Sequence, residues 1–344
     1  MWSHLERGSS PVDWCESNYS ISPVIAEFVN TVSFYNFIFA SCLFRYFMND
    51  AHKFVRFVFN ENYYQIMKFT VYKVNQFVFN IFIVSNILFF LFPPVLIHLF
   101  QEYAKFVNPA INVLWVLLMI VGLSSAYFHA TLSLDIIFLV VFCFTLFWSI
   151  KYKFLYFSGQ LLDELAILWV FMAAFAMFLP RKYFPKFLKG NRRVLAFYSS
   201  VFSVLSTGFL VMHPAANAFA LMTLVLPAIG FLYKELNNVK CARVYRLGLR
   251  CMAVCFLAMF CWIMDRAFCD AWLSINFPYM HGVWHILIFI ASYTALVLFA
   301  YFNVTEERPE QKPQLKYWPK NDFELGVPYI TFKHPCKKDS GHTI

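Results

Sequence analysis

Long apolar runs alternate with short polar connections along most of the chain. Several runs hold about 20 apolar residues, the length that an α-helix needs to cross the hydrocarbon core of a bilayer. Because a backbone inside lipid has to satisfy its own hydrogen bonds, these runs predict helices. The runs begin with a helix near Pro23 and continue at 86–100, 111–127, 159–179, 194–212, 215–233, 249–264 and 281–302. The pattern predicts an all-α integral membrane protein.

Two stretches, 34–85 and 135–158, break this pattern. The first is crowded with Phe, Tyr, Asn, Ile and Lys and has no clean helical period, and the second is rich in Phe, Tyr and Ile. If neither stretch crosses the membrane, a seven-transmembrane-helix bundle remains at 23–302. If they do cross, they add helices to that bundle.

Composition and charge refine the topology. Hydrophobic residues make up 60% of the 344 residues and charged residues only 14%, which excludes an ordinary soluble domain. The net charge of +9 comes largely from short loops, where Lys and Arg mark the cytosolic side and do not indicate nucleic-acid binding. The loops at 181–193 and 234–250 and the polar tail at 303–344 are therefore predicted to be cytosolic. The segment 1–22, which has no apolar core of a signal peptide, is predicted to be lumenal.

The sequence also gives predictions for the structure of the tail and for protein partners. The tail is polar and contains Pro309 and Pro313, so we expect it to be irregular or disordered. No feature of the sequence indicates an obligatory protein partner.

Ionisable residues cluster at the predicted lumenal ends of three helices. Ser125 and His129 share one helical face at i, i+4 spacing, and so do His281 and His285, while Asp163 opens another apolar run. Such groups are costly at membrane depth and usually mark a functional site. Three imidazoles with an open fourth position for water match a catalytic zinc site. For each histidine alone a packing role is the simpler reading, but for the set we favour metal.

The N-terminal segment carries a second candidate site. Asp13, Glu16, Asn18 and Glu27 bring oxygen-bearing side chains together before the first helix, and hard oxygen ligands suit calcium. The spacing is not that of an EF-hand, so a solvated acidic loop is the simpler interpretation.

Four motifs in order carry a resemblance to the alkaline ceramidases, which are integral-membrane amidases. They are Asp-Trp-Cys-Glu-x-Asn with Ala-Glu-Phe, Ser-Ala-Tyr-Phe-His-Ala-Thr-Leu-Ser, Gln-Leu-Leu-Asp-Glu-Leu and His-x-x-Trp-His-Ile-Leu. The resemblance implies a seven-helix bundle with zinc on His129, His281 and His285, and with Ser125 and Asp163 in the catalytic centre. It also implies calcium on Asp13, the Trp14 carbonyl, Glu16, Asn18 and Glu27, and a disulfide between Cys15 and Cys269.

The implied reaction is hydrolysis of the ceramide amide to a sphingoid base and a free fatty acid in the endoplasmic reticulum or Golgi membrane. The residue types suit it, because zinc activates water, Asp163 can transfer a proton and Ser125 can donate to an oxyanion. The alternatives are a seven-helix receptor or transporter of the same superfamily, and a homologue inactivated by the two stretches.

The stretches 34–85 and 135–158 have no place in the family's pattern. One extra crossing in each would invert the helix that bears His129 and carry it tens of ångströms from His281, across a core about 30 Å thick. We therefore hypothesise that both are translated non-coding sequence that the working enzyme lacks. The alternative is that they loop out against the bundle.

Overall fold

A computed structural model describes residues 14–21, 23, 25–33, 96–131, 159–188, 190–212, 216–275 and 277–333. Both stretches that interrupt the helical pattern, 34–85 and 135–158, lie outside the described residues. The predicted calcium ligand Asp13 also lies outside them, and the helix that contains Asp163 is described without that side chain.

The described chain is mostly helical, as the apolar runs predict. The elements are α1 (Phe28–Ser33), α2 (Gln101–Phe106), α3 (Ile111–Thr131), α4 (Gly159–Phe178), α5 (Arg192–Met212), α6 (Ala216–Leu236), α7 (Ala242–Ala267), α8 (Cys269–Ser274), α9 (Met280–Glu307), β1 (Pro313–Trp318) and β2 (Val327–Phe332). Short 3₁₀ turns lie at Arg181–Tyr183, Lys186–Leu188 and Pro309–Gln311. Within the described ranges, α3, α5, α7 and α9 are long and apolar enough to cross a membrane. The described ranges leave the seven-helix count open.

One end of the bundle, which we call the hairpin end, is defined by charged contacts. Arg192 at the start of α5 donates to the carbonyls of Met177 and Leu179 at 2.6 and 2.9 Å, where α4 ends. The same guanidinium pairs with Glu307 at the end of α9. The ends of α4 and α9 and the start of α5 therefore lie together.

The remaining helices alternate in direction. The ammonium of Lys182 pairs with Glu235 at the end of α6 at 2.9 Å, which brings the end of α6 to the hairpin end. At the opposite end, which we call the histidine end, the carboxylate of Asp265 near the end of α7 accepts a hydrogen bond from the backbone of His281 at the start of α9. His129 near the end of α3 meets His285, one turn further along α9. Helices α3 and α7 thus run toward the histidine end, and α4 and α9 run away from it.

The hydrophobic core lies between α3, α4, α7 and α9. Trp115 of α3 is buried against Phe100 and Tyr293, with ring centroids 4.8 and 5.8 Å apart. Tyr103 of α2 lies beside Asn303 of α9, with 3.4 Å between the hydroxyl and the amide oxygen. The aromatic packing fixes α3 against α9, the two helices that carry the histidines.

The tail differs from its prediction as an irregular segment. Helix α9 extends to Glu307, and β1 and β2 form an antiparallel hairpin that pairs Pro313 with Phe332 and Trp318 with Val327. Leu315 and Tyr317 on one strand and Ile330 and Phe332 on the other are buried at alternate positions. This spacing of two is the signal of a strand, so the prediction of an irregular tail is wrong for 313–318 and 327–332.

The hairpin is docked on the bundle by polar contacts. The hydroxyl of Tyr293 donates to the carbonyl of Pro328 at 2.6 Å, and Arg246 donates to both carboxylate oxygens of Glu324 at 3.0 and 2.5 Å. At the turn, a Cβ on Gly326 would lie 2.4 Å from the carbonyl oxygen of Trp318, so only glycine fits there. Residues 303–333 of the tail are therefore an ordered part of the hairpin end.

Candidate metal centre

Three imidazoles meet at the histidine end. His129 lies in the last turn of α3, and His281 and His285 lie on the first two turns of α9, four residues apart on one face. One ring nitrogen from each lies within 4.8 Å of the others, and all three side chains are buried. The Nε2 atoms of His129 and His285 are 3.0 Å apart. Among the described residues these three histidines form the group with the geometry to hold a metal ion.

The ring of His129 is oriented by Glu27. The Nδ1 atom of His129 contacts the carboxylate of Glu27, which also accepts from the Trp14 backbone N–H at 3.2 Å and from the Asn30 amide at 3.1 Å. A carboxylate on Nδ1 requires the proton on that nitrogen, which leaves Nε2 unprotonated and facing Nε2 of His285 across the centre. The backbone N–H of Glu27 donates to the carbonyl of His129 at 2.9 Å, so the two residues are held together twice.

His281 is held in a different way. Neither ring nitrogen has a hydrogen-bond partner within the described ranges, although the side chain is buried. Its ring is stacked on Trp14 and on Trp284, and its backbone N–H donates to Asp265 at 3.1 Å. The sequence interpretation did not single out Asp265, which links residues far apart in the chain. Its one signal was a carboxylate at the end of an apolar run.

Ser125 lies one helical turn before His129 and is buried. Its Oγ atom has no hydrogen-bond partner in the part of the chain that the structure describes. The neighbouring Ser124 differs, because its hydroxyl donates to the carbonyl of Ile120 in its own helix at 2.9 Å. Asp163 is the fifth residue of α4, which begins at the histidine end, so its backbone lies at the end of the bundle that carries the histidines.

The predicted calcium ligands have separate roles in the described segment. Both carboxylate oxygens of Glu16 accept backbone N–H groups at the start of α1, from Val29 at 2.6 Å and Asn30 at 2.8 Å. Burial raises the pKa of Glu16 to about 8, opposed by these two hydrogen bonds and reinforced by the charges of Glu27 and Asp265. Asn18 is exposed.

A disulfide fixes the N-terminal segment to the bundle. The sulfur atoms of Cys15 and Cys269 are bonded, with their Cα atoms 5.3 Å apart. The backbone N–H of Cys15 also donates to Asp265 at 3.3 Å. The segment that contains Trp14 and Glu16 is therefore tied both to α8 and to the end of α7.

A cavity of about 580 Å³ opens beside the histidines. Its walls come from α4, α5, α6, α7 and α9 and are mostly apolar. Trp14, His281 and Trp284 line it at the histidine end, and Phe178 and Glu235 line it at the hairpin end. The cavity therefore runs along the bundle from the histidine cluster toward the hairpin end.

Comparisons with known proteins agree on one family. The family model described as Ceramidase matches residues 6–74 and 61–331. An alkaline ceramidase of Drosophila melanogaster is 47% identical over 98% of this chain and 92% of its own length, and alkaline ceramidase 1 of Homo sapiens is 31% identical over 94% and 95%. An alkaline ceramidase of Caenorhabditis elegans is 27% identical over 72% of this chain and 85% of its own. The matches span the N-terminal segment, the three histidines and the hairpin, and the chain belongs to the ceramidase family.

Proposed function

We propose that the protein is an alkaline ceramidase that hydrolyses the amide bond of ceramide to a sphingoid base and a free fatty acid. The observation that carries the proposal is the buried cluster of His129, His281 and His285 beside an apolar cavity, in a chain of the ceramidase family. The receptor and transporter alternatives gain no specific support from this arrangement.

The three histidines fit zinc as the metal. Their ring nitrogens lie close together, Glu27 holds His129 with Nε2 toward the other two rings, and the nitrogens of His281 are unpartnered among the described residues. Three imidazoles in a buried site leave a fourth position for water. Zinc bound there would lower the pKa of a water molecule to about 7 and polarise the amide carbonyl.

The chain's own polar groups supply the remaining chemistry. Ser125 has a hydroxyl free to donate, one turn from His129, and it would stabilise the negative charge that develops on the amide oxygen. Asp163 in the second turn of α4 would accept a proton from water and pass it to the leaving amine. The position of α4, which begins at the histidine end, supports this role.

The cavity fits the hydrocarbon of a lipid substrate. Its apolar walls suit an acyl or sphingoid chain, and the histidines at one end would lie near the amide. Because three of the wall helices, α5, α7 and α9, are long and apolar enough to cross a membrane, a two-chain lipid could enter sideways from the bilayer. Water has to reach only the histidine end.

Calcium and location complete the proposal. We infer that Asp13, the Trp14 carbonyl, Glu16, Asn18 and Glu27 hold calcium, and the buried carboxylates of Glu16 and Glu27 support a nearby cation. The Cys15–Cys269 disulfide supports an oxidising, lumenal location for the histidine end, in the endoplasmic reticulum or Golgi. The basic loops and the hairpin would then be cytosolic.

We further infer that the working enzyme lacks the stretches 34–85 and 135–158. Helix α3 ends and α4 begins at the histidine end, so a short turn can replace the second stretch without inverting either helix. The family model matches the chain in two parts, and these parts overlap at 61–74, inside the first stretch. Sequencing the mature transcript across both junctions tests this, and both stretches in the abundant message would reject it.

Activity is tested by purifying the full-length and insert-free proteins and measuring fatty acid released from labelled ceramides of several acyl lengths. The proposal expects release by the insert-free protein and loss of release in Asp163→Ala. An insert-free protein that folds, contains zinc and releases nothing would favour the receptor or transporter class. Release by the full-length protein would reject inactivation by the two stretches.

A further inference from the structure

We propose that the indole of Trp14 is a positioning group for His281, an inference that rests on the metal site proposed above. The centroids of the indole and the imidazole are 3.5 Å apart and their planes are inclined by only 16°. Trp284 covers the opposite face of the imidazole, with centroids 4.9 Å apart and planes at 26°. The guanidinium carbon of Arg266 lies over the Trp14 ring, 4.3 Å from its centroid.

The stack replaces the hydrogen bond that orients most metal-binding histidines. A ligating histidine usually donates its second ring N–H to a carboxylate or carbonyl, as His129 does to Glu27. Both nitrogens of His281 lack such a partner in the described part of the chain. Rotation about the last side-chain bond of histidine has only broad minima, so something else has to fix the plane of this ring. Two parallel indoles do so.

Of the two indoles, only Trp14 connects His281 to a different part of the chain. Trp284 lies three residues further along the same helix and moves with His281. Trp14 comes from the N-terminal segment, so it can hold the imidazole relative to His129 on α3. The backbone N–H of Trp14 donates to Glu27 at 3.2 Å, and Glu27 contacts His129, so the segment touches two of the three candidate ligands.

One disulfide and two hydrogen bonds hold Trp14 against the imidazole of His281. The disulfide ties Cys15 to Cys269, and the two carboxylate oxygens of Asp265 accept the backbone N–H groups of Cys15 and His281 at 3.3 and 3.1 Å. Asp265 thus holds Cys15, the residue after Trp14, at a fixed distance from the backbone of His281. This role of the Trp14 side chain is distinct from calcium binding by its carbonyl, which any substitution retains.

The test measures zinc affinity of the full-length protein in detergent by competition with a chelator. Trp14→Leu, which removes the aromatic plane, should weaken zinc binding about 10- to 100-fold, the usual cost of losing a group that orients a ligand. Trp14→Phe keeps a flat ring and should stay within about 3-fold of the natural protein. The matched control is Trp272→Leu, a partly buried tryptophan at the same end whose indole donates to the carbonyl of Met264 and should leave zinc affinity unchanged.

The outcomes separate this inference from the proposed function. If the natural protein binds no zinc, the metal site itself fails. If the natural protein binds zinc and a folded Trp14→Leu protein binds it equally well, the positioning role is wrong while the site stands. Equal weakening in Trp14→Leu and Trp272→Leu also rejects the role. Should Trp14→Leu not fold, Trp14→Met is the second variant: its longer, flexible side chain can adapt to the site but has no flat ring, so zinc binding has to weaken by the same factor.

The visible spectrum of bound cobalt gives an independent measurement. Cobalt at the same ligands absorbs according to their geometry, so a displaced His281 should change the intensity of the bands in Trp14→Leu. Trp14→Phe should preserve them. Identical spectra in all variants would contradict the inference, since loss of general stability alone does not alter the bound geometry.

Discussion

The two ends of the bundle both contain buried or half-buried carboxylates, but they satisfy them differently. At the hairpin end these carboxylates face cations, in the pairs Arg192 with Glu307, Lys182 with Glu235 and Arg246 with Glu324. At the histidine end Glu16 and Asp265 accept mainly backbone N–H groups, and Glu27 accepts backbone and amide N–H groups beside His129. Arg266 stacks on Trp14 nearby.

The difference separates stability from function. At the hairpin end the ion pairs fix the helix termini and the hairpin, and each of these carboxylates already has a cationic side chain beside it. At the histidine end carboxylates and imidazoles lie close together. A cation bound there would reduce the repulsion between their acceptor atoms. Substitution of the imidazoles, or of the carboxylate that contacts one of them, at the histidine end should therefore alter metal binding and catalysis, whereas substitutions of the ion pairs at the hairpin end should alter stability alone.

The largest effect is expected for His285→Ala. It removes one of three candidate ligands, so zinc binding and ceramide hydrolysis should both fall to the detection limit. Metal analysis and fatty acid release measure the two losses in parallel. His98→Ala is a control outside the cluster that should change neither quantity. Hydrolysis that persists in His285→Ala would contradict the assignment of catalysis to the histidine end.

Ser125→Ala should reduce kcat about a hundred- to a thousandfold, because it removes a proposed donor to the oxyanion. Zinc content should remain unchanged. Ser124→Ala is the matched control, since its hydroxyl bonds to its own helix and not to the site. Steady-state kinetics with both variants measures the difference, and equal losses would assign Ser125 a packing role.

Glu27→Gln should weaken zinc binding about 10- to 100-fold, because the amide no longer stabilises the proton on Nδ1 of His129. Chelator competition measures the change. Glu102 lies at the opposite end of the bundle, where its carboxylate accepts a hydrogen bond from the backbone N–H of Phe332 at 3.1 Å, so Glu102→Gln should bind zinc normally. Unchanged affinity in Glu27→Gln would mean that the carboxylate does not set the histidine's tautomer.

The smallest effect is expected at the hairpin end. A hydrogen bond from Arg246, with the charges of Arg246, Arg250 and Arg243, holds the pKa of Glu324 below its ordinary value of about 4.5. A lowered pKa gives stability that is complete above the ordinary value and is lost as the pH falls through the folded one. Glu324→Gln should lower the midpoint of thermal unfolding by on the order of 2 °C at neutral pH and by less at low pH, with hydrolysis unaffected. A loss of activity in this folded variant would contradict the separation of the two ends.

The sequence predicts the helices better than it predicts their ends. Helix α4 occupies 159–178 where an apolar run was predicted at 159–179, because Pro180 and the basic residues from Arg181 onward follow the run directly. Helix α7 begins seven residues earlier than predicted, at Ala242. Arg243 and Arg246 indicated a loop, yet they lie on the helix and bind Glu324, a residue far along the chain. The hairpin's alternating apolar positions were visible, but its docking surface was not.

The site shows the same limit. The i, i+4 spacing identifies the pairs Ser125 with His129 and His281 with His285, because local helix geometry decides which residues share a face. Asp265 and the side chain of Trp14 could not be predicted in this way. Their contacts join Cys15 to Asp265 across 250 residues and stack Trp14 on His281, and only the folded chain brings these groups together.

The central claim is that His129, His281 and His285 converge on one metal ion. Metal analysis of the purified insert-free protein, beside its His281→Ala variant and with hydrolysis measured on the same samples, tests it most directly. We predict one zinc per chain with activity in the insert-free protein, and neither zinc nor activity in its His281→Ala variant. Zinc-free protein that hydrolyses ceramide, or a variant that keeps its zinc, would contradict the account.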